Sequence, residues 1–193
     1  MNLDTQNDWL EGVRRVPSPN WDERPPECDI DLLVVHSISL PPGVYGGGAI
    51  DALFTNQLDA SAHPYFESIA DMRVSAHALI RRDGEVVQYV PFRRRAWHAG
   101  ASSYRGRSRC NDFSIGIELE GTDDDAYEVV QYHRLAELAR LLMRAWPAIT
   151  VDRIVGHSDI ASERKTDPGS GFDWVRFHAL LGVPSKRTQG REH

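Results

Sequence analysis

The sequence predicts a single α/β domain in which helices flank a central mixed β-sheet. Three features predict it: short apolar runs rich in branched residues, an Asp-Gly pair between two strand-like segments, and one long segment with apolar residues at helical spacing. The 193-residue chain shows no internal repeat or linker. We therefore expect one domain over residues 1–183 and a mobile polar tail over residues 184–193.

The first strand is expected over residues 31–36, DLLVVH, a short run of branched apolar residues that ends in a histidine at the sheet edge. A loop rich in Pro and Gly follows this strand. Residues 49–58 then place their apolar side chains on one helical face. This spacing predicts a short helix after the loop.

Two further strand predictions rest on a turn and on an alternating pattern. Residues 75–82 and 85–90 flank an Asp-Gly pair, which is the strongest local signal for a β-hairpin. Residues 113–121 alternate with period two, so that Glu118 and Glu120 face away from the apolar side chains. We expect one face of this strand in the core and the other at a site or in solvent.

Two helices are predicted in the C-terminal part of the chain. Residues 127–146 carry apolar side chains at intervals of three to five positions, and Pro147 ends the pattern. Residues 172–182 predict a short last helix, with Asp173 as its N-cap and Gly182 past its end.

Composition and charge restrict the classes of partner. The composition, 41% apolar and 26% charged, is typical of a globular protein. A formal net charge of −6 disfavours long-range attraction to nucleic acid or to an anionic membrane, and no obligate protein partner is indicated. The basic clusters at residues 93–95 and 105–109 are short, and we interpret them as solvated loops. Cys28 and Cys110 form no CxxC pair and are expected to be reduced thiols.

The N-terminal segment, MNLDTQNDWLEGVRRV, does not resemble an export signal. Acidic residues stand where a signal peptide is basic, and no apolar run is long enough for its hydrophobic region or for a membrane span. We therefore expect a cytoplasmic protein.

His36 and His157 differ from the other histidines because each follows a branched apolar run. We expect both at strand ends, where they would face a common cleft. Asp167 lies ten residues after His157, and a loop of that length can return its carboxylate to the histidine. Two imidazoles and one carboxylate leave zinc an open position for water, as in hydrolytic sites. Spacing alone does not establish this site, because no motif such as HExxH places the residues on one regular element.

The other histidines have different interpretations. His133 and His178 lie within helical patterns and His193 ends the chain, so we interpret these three as structural or solvated. His77 lies between two alanines in a strand-like run. For His77 two alternatives stay open, a position at the border of the site or a hydrogen bond in the core.

Six ordered blocks carry a specific resemblance to a known family. They are LLVVHSISLPPG, HPYFESI, RVSAHALIRRDGEVVQYVPF, RAWHAG, CNDFSIGIELEGTD and VGHSDIASERKTDPGSGFDW, and together they span nearly the whole chain. The sequence resembles the AmpD family of cytoplasmic anhydro-N-acetylmuramoyl-L-alanine amidases, within the wider amidase and peptidoglycan-recognition fold.

The resemblance implies a reaction and the residues that perform it. It implies hydrolysis of the lactyl–L-alanine amide bond of small 1,6-anhydro-muropeptides during cell-wall recycling, with one Zn²⁺ per chain. It also implies that His36, His157 and Asp167 hold the zinc and that Glu118 and Lys165 are the catalytic pair. Glu118 would transfer the proton of the attacking water, and Lys165 would stabilise the oxyanion. Without the resemblance, the sequence favours the alternative that Glu118 is a solvated strand residue and Lys165 an ordinary loop cation.

Five residues are predicted to bind substrate. Trp97 and His98 are expected to line the cleft for sugar and peptide, although tryptophan is also common in cores. Arg73 and Arg109 are expected to meet carboxylates of the stem peptide, unless they are simply solvated. Ser37 stands where the family has Asn, and we expect this exchange to change substrate affinity more than reaction type.

Two more positions depart from the family pattern, and two rival functions stay open. Ser158 and Ser162 stand where Cys and Pro are usual, and neither is a predicted ligand. One rival is a peptidoglycan-recognition module that only binds, which the three filled ligand positions disfavour. The other is an exported amidase that cleaves intact polymer, which the N-terminal segment disfavours.

Overall fold

The computed structural model describes residues 1–182, and the predicted tail over residues 184–193 lies outside them. The strands are β1 (Asn2–Asp4), β2 (Trp9–Glu11), β3 (Arg14–Arg15), β4 (Trp21–Asp22), β5 (Leu32–Ile38), β6 (Ala78–Ile80), β7 (Val86–Gln88), β8 (Arg95–Ala96), β9 (Ser103–Tyr104), β10 (Arg107–Ser108), β11 (Ser114–Glu120) and β12 (Ile154–Gly156). The α-helices are α1 (Ala49–Phe54), α2 (Pro64–Glu67), α3 (Val129–Ala145), α4 (His157–Ile160) and α5 (Trp174–Leu180). None of these helices is long and apolar enough to span a bilayer.

A six-stranded mixed sheet forms the centre of the fold, in the order β12-β5-β11-β6-β7-β3. The β6–β7 pair is antiparallel and the other pairs are parallel. The longest pairing joins β5 and β11, with Leu32 opposite Ser114 at one end and Ile38 opposite Glu120 at the other. The predicted α/β fold with a mixed central sheet is therefore confirmed.

Both faces of the two long strands are buried. On one face, Leu138 of α3 belongs to the same apolar cluster as Val35 of β5 and Ile117 of β11. On the opposite face, Val34 of β5 packs in a cluster with Phe113. Strands covered on both faces read as continuous apolar runs, which explains the LLVV sequence of β5.

The alternation predicted for β11 is present, but its polar face is not in solvent. Ser114, Glu118 and Glu120 are 0%, 9% and 2% exposed. Glu120 accepts hydrogen bonds from Arg81 Nη1 at 3.3 Å and from the backbone N–H of Arg82 at 3.2 Å. The solvent alternative for this face is therefore wrong, because surrounding loops cover it.

The predicted hairpin and helices form with adjusted bounds. The Asp-Gly turn joins β6 to β7, with Ile80 opposite Val86. Helix α1 ends at Phe54, four residues before the predicted end, because Asn56 adopts a left-handed φ of 60°. Helix α5 begins where predicted, since the side chain of Asp173 accepts a hydrogen bond from the third helical N–H.

The N-terminal strands were not predicted from the sequence. β1 pairs with β2, and β3 adds an edge strand to the main sheet beside β7. Fully buried Gln88 holds this segment, because its side chain accepts from the N–H of Leu10 at 2.6 Å and donates to the carbonyl of Asp8 at 3.0 Å. These strands of two or three residues are too short to show a period.

Candidate metal centre

The carboxyl ends of three parallel strands bring the candidate site together. β5 lies between β12 and β11, and it carries His36 directly opposite Glu118 of β11. His157 follows the last residue of β12 and begins α4. The Asp159 carboxylate fixes this turn by accepting from the N–H of Gly156 at 2.7 Å. Parallel strands present the side chains at their carboxyl ends along one sheet edge, where ligands commonly bind.

The loop after α4 returns Asp167 to this edge, as its length led us to expect. The N–H of Ser158 donates to the backbone carbonyl of Asp167 at 3.0 Å. Asp167 Oδ2 then lies 3.2 Å from His36 Nδ1 and 3.1 Å from His157 Nδ1. The two Nδ1 atoms are 3.0 Å apart.

These three side chains fit a bound zinc ion. Nitrogen and oxygen ligands at about 2.0–2.1 Å from zinc stand roughly 3.3 Å apart in a tetrahedral arrangement, close to the separations of His36, His157 and Asp167. The two histidines are 2% and 3% exposed, and the Asp167 side chain is 14% exposed. Neutral imidazoles and an ionised carboxylate also supply the lone pairs that a cation needs.

Local electrostatics favour these ligand forms. Burial lowers the pKa of His36 to about 4, although its hydrogen bond to Asp167 opposes the shift. Burial by itself would raise the pKa of Asp167, but hydrogen bonds from His157 and His36 outweigh burial and hold that pKa well below its usual range. At neutral pH the site therefore holds a neutral His36 and an ionised Asp167.

Glu118 is buried beside this cluster with one oxygen free. Its Oε2 has no hydrogen-bond partner among residues 1–182, and it borders the same cavity as the three clustered side chains. Burial raises the pKa of Glu118 well above its usual value, and the charge of Asp167 adds to the shift while Lys165 opposes it. A carboxyl group in this setting accepts and holds a proton readily. The alternative of a solvated strand residue is wrong for Glu118.

A cavity of about 450 Å³ opens over the cluster. Its polar lining includes Ser37, Thr122, Asp123 and the exposed side chain of Lys165. Its apolar lining comes mainly from α1, α2 and neighbouring loops and consists of Ile38, Leu40, Pro42, Leu53, Phe54, Tyr65, Ile69, Met72, Val74 and Trp97. A lining that contains both polar and apolar side chains suits a ligand that has both kinds of surface.

Comparison with known proteins decides the family. The sequence model of the N-acetylmuramoyl-L-alanine amidases matches residues 26–170. The chain belongs to the N-acetylmuramoyl-L-alanine amidase family. It is 64% identical over 179 residues to the 1,6-anhydro-N-acetylmuramyl-L-alanine amidase AmpD of Citrobacter freundii, covering 93% of this chain and 95% of that protein.

Solved structures agree with this membership. A crystal structure of a selenomethionine derivative of AmpD has a TM-score of 0.90 and 62% identity, covering 94% of this chain and 99% of that one. AmpDh3 of Pseudomonas aeruginosa, crystallised with anhydromuramic pentapeptide, has a TM-score of 0.58 and 30% identity, covering 80% of this chain and 60% of that one. The predicted family, fold and enzyme class, an amidase that is a hydrolase, are confirmed.

Among the residues predicted to bind substrate in this amidase, three border the cavity. They are Ser37, Trp97 and His98. Arg73 and Arg109 do not line it. Arg73 is exposed and reaches only nearby backbone carbonyls, and the guanidinium of Arg109 pairs with Asp112 at 3.1 Å. A substrate role for these two arginines stays a prediction without support from the cavity.

The structure decides between the two alternatives for His77 and adds Asp123, which the sequence did not indicate. His77 is fully buried and takes the core alternative, since its Nδ1 accepts from the N–H of Gly116 at 3.0 Å. Asp123 was not predicted, yet it accepts hydrogen bonds from Ser37 and Thr166 and so joins the loop of Asp167 to the end of β5. Its partners lie 86 and 43 residues away, so no local pattern signals it.

Proposed function

We propose that this amidase depends on zinc and hydrolyses the lactyl–L-alanine bond of small 1,6-anhydro-muropeptides in the cytoplasm, as a step in cell-wall recycling. One observation carries the proposal: His36, His157 and Asp167 converge within ligand distance beside a buried Glu118 that has a free oxygen. A binding-only module needs neither a complete ligand set nor a buried carboxyl group with a raised pKa.

His36, His157 and Asp167 would hold the metal through two Nδ1 atoms and one carboxylate oxygen. When bound, zinc supplies a Lewis acid for the scissile carbonyl and for a nearby water. Glu118, which lines the same cavity, would take a proton from the attacking water and deliver it to the departing L-alanine nitrogen. Lys165, an exposed residue that lines the cavity, would offset negative charge on the carbonyl oxygen.

The shape and chemistry of the cavity support a muropeptide substrate. An anhydro-muramyl ring has an apolar bicyclic face that suits aromatic lining residues such as Trp97 and Tyr65. The stem peptide is polar and suits the polar lining residues, such as Ser37 and Thr122. The AmpD relative is named for the 1,6-anhydro compound, and the AmpDh3 crystal contains anhydromuramic pentapeptide.

The test combines metal analysis with a product assay. We expect about one zinc per chain and zinc-dependent release of peptide from purified anhydro-muropeptides, followed by chromatography and mass spectrometry. Intact sacculi serve as the second substrate. Binding of anhydro-muropeptide without cleavage by the zinc-loaded protein would favour the recognition module, and faster release from sacculi would favour the exported amidase.

A further inference from the structure

His98 lies directly behind the first predicted ligand. Its Nδ1 is 2.9 Å from Nε2 of His36, and the two rings meet nearly perpendicular. Its other nitrogen, Nε2, is 3.2 Å from Oγ of Ser114. Both ring nitrogens of His98 are therefore engaged by the protein, which leaves neither nitrogen free for a substrate.

The direction of each hydrogen bond follows from the one before it. His36 Nδ1 faces His157 and Asp167, so a metal bound between them would use its lone pair, and the His36 proton would then reside on Nε2. That N–H donates to His98 Nδ1, which places the His98 proton on Nε2, where it donates to Ser114 Oγ. The Ser114 hydroxyl in turn donates to the carbonyl of Cys110 at 2.5 Å. The chain ends on a backbone acceptor with one proton in every link.

The strand beside His98 is shaped to hold this ring. A Cβ atom on Gly116 would lie 2.4 Å from Cγ and Nδ1 of His98, so only glycine leaves room for the imidazole. Ser114, Gly116 and Glu118 are alternate residues and share one face of β11. The same strand face thus seats His98 and presents Glu118 to the cavity.

The neighbouring residue holds the second ligand histidine. The carbonyl of Ala99 lies 3.2 Å from Nε2 of His157, the nitrogen that points away from the cluster. The backbone N–H groups of His98 and Ala99 both donate to Oδ1 of Asn111, at 3.1 and 2.7 Å. Two consecutive residues therefore contact the outer nitrogens of both ligand imidazoles, and one amide side chain fixes their backbone.

We propose that His98 is a positioning residue of the metal centre: it accepts the Nε2 proton of His36 and holds that ring with Nδ1 toward the metal. This inference rests on the proposed zinc dependence. It replaces the substrate-binding role predicted for His98 from the sequence. Outer contacts of this type typically change metal affinity by about 10–100-fold, because they set the ring orientation and tautomer of the ligand.

The test compares two side chains of equal branching at position 98. In His98→Asn, the Oδ1 atom lies the same number of bonds from Cβ as the lost Nδ1 and still accepts from His36. In His98→Leu, a methyl group takes that place. We expect His98→Leu to bind zinc about 10–100-fold more weakly than wild type, measured by competition with a fluorescent chelator, and His98→Asn to recover most of the affinity.

Ser114→Ala supplies a second test that leaves His98 in place. It removes the acceptor of the His98 Nε2 proton, and we expect weaker zinc binding. Ser18→Ala is its matched control, because Ser18 is also buried and its hydroxyl also donates to a backbone carbonyl, that of Phe54, but it has no hydrogen bond to His98 or to the three clustered side chains within residues 1–182. We expect Ser18→Ala to lower the unfolding midpoint and leave zinc affinity unchanged.

The outcomes separate this inference from the proposed function. If the wild-type protein binds no zinc, the proposed function fails. If it binds zinc tightly and His98→Leu binds equally well, or His98→Asn is as weak as His98→Leu, only the positioning role is overturned. Should His98→Leu fail to fold, equal zinc affinities of Ser114→Ala and Ser18→Ala overturn it. Nitrogen-15 spectra of the zinc-loaded wild type should place the His98 proton on Nε2, and a proton on Nδ1 contradicts the inference.

Discussion

Replacing Glu118 by Gln removes the ionisable group next to the metal cluster while keeping the shape of the side chain. Glu118 is not one of the three clustered side chains, so we expect Glu118→Gln to retain zinc. Loss of a group that transfers a proton lowers the rate by about 10²–10⁴-fold, which corresponds to roughly 2.7–5.4 kcal/mol of transition-state free energy. Oε2 forms no hydrogen bond within residues 1–182, so its exchange for an amide group removes no native contact.

The same substitution should change stability in a pH-dependent way. The folded-state pKa of Glu118 is raised by burial, and by the charge of Asp167, above its unfolded value. Below the unfolded pKa, the carboxyl group is protonated in both the folded and the unfolded state, so its ionisation does not change the free energy of unfolding. As pH rises from the unfolded pKa through the folded one, the wild type loses stability because ionisation is easier in the unfolded chain. Glutamine does not ionise, so the stability of the variant relative to the wild type should increase over that pH range.

The assay measures kcat on a purified anhydro-muropeptide, zinc content by elemental analysis, and urea unfolding with chelator present at several pH values. Glu120→Gln is the matched control, because Glu120 is buried on the same face of β11 but pairs with Arg81 and does not line the cavity. We expect this control to lose stability and keep its turnover. A zinc-loaded Glu118→Gln protein with near-normal kcat would refute the role given to Glu118.

Three further predictions follow from the site and its surroundings. His36→Ala, His157→Ala and Asp167→Ala should each lose zinc and activity together. If a variant keeps both at wild-type levels, the residue that it replaces is not a zinc ligand. Anhydro-muropeptides should show a higher kcat/KM than the matching hydrated muropeptides, since contacts with the ring accelerate the reaction only where they favour the transition state; equal values for the two substrates count against the anhydro specificity. Gly116→Ala should reduce the free energy of unfolding by about 1–3 kcal/mol in urea titrations, because its Cβ would overlap His98. An unchanged unfolding midpoint would show that the ring can move aside.

Local patterns were enough for the elements whose signals lie within a few residues. The Asp-Gly turn predicted the β6–β7 hairpin, and Asp173 predicted the start of α5. The apolar run before His36 predicted a strand that ends at this histidine, and β5 continues two residues further, to Ile38. The proposed ligand trio and catalytic pair rest on the resemblance to a family, because spacing alone left their roles open. The roles of Glu118 and Lys165 remain proposals.

Contacts between distant parts of the chain were decided only by the tertiary structure. The alternation of β11 predicted that its acidic face would lie either at a site or in solvent. The face is buried by loops around the site, which excludes the solvent alternative. The contact of His98 with His36 joins residues 62 positions apart, and Gln88 holds Leu10 across 78 positions. A periodic pattern reports which face of a strand or helix is apolar, whereas these hydrogen bonds depend on how separate strands and loops are placed in space. The sequence by itself therefore determined the family and the elements that have local signals, and the packing of loops over the sheet edge decided which polar side chains meet the proposed metal ligands.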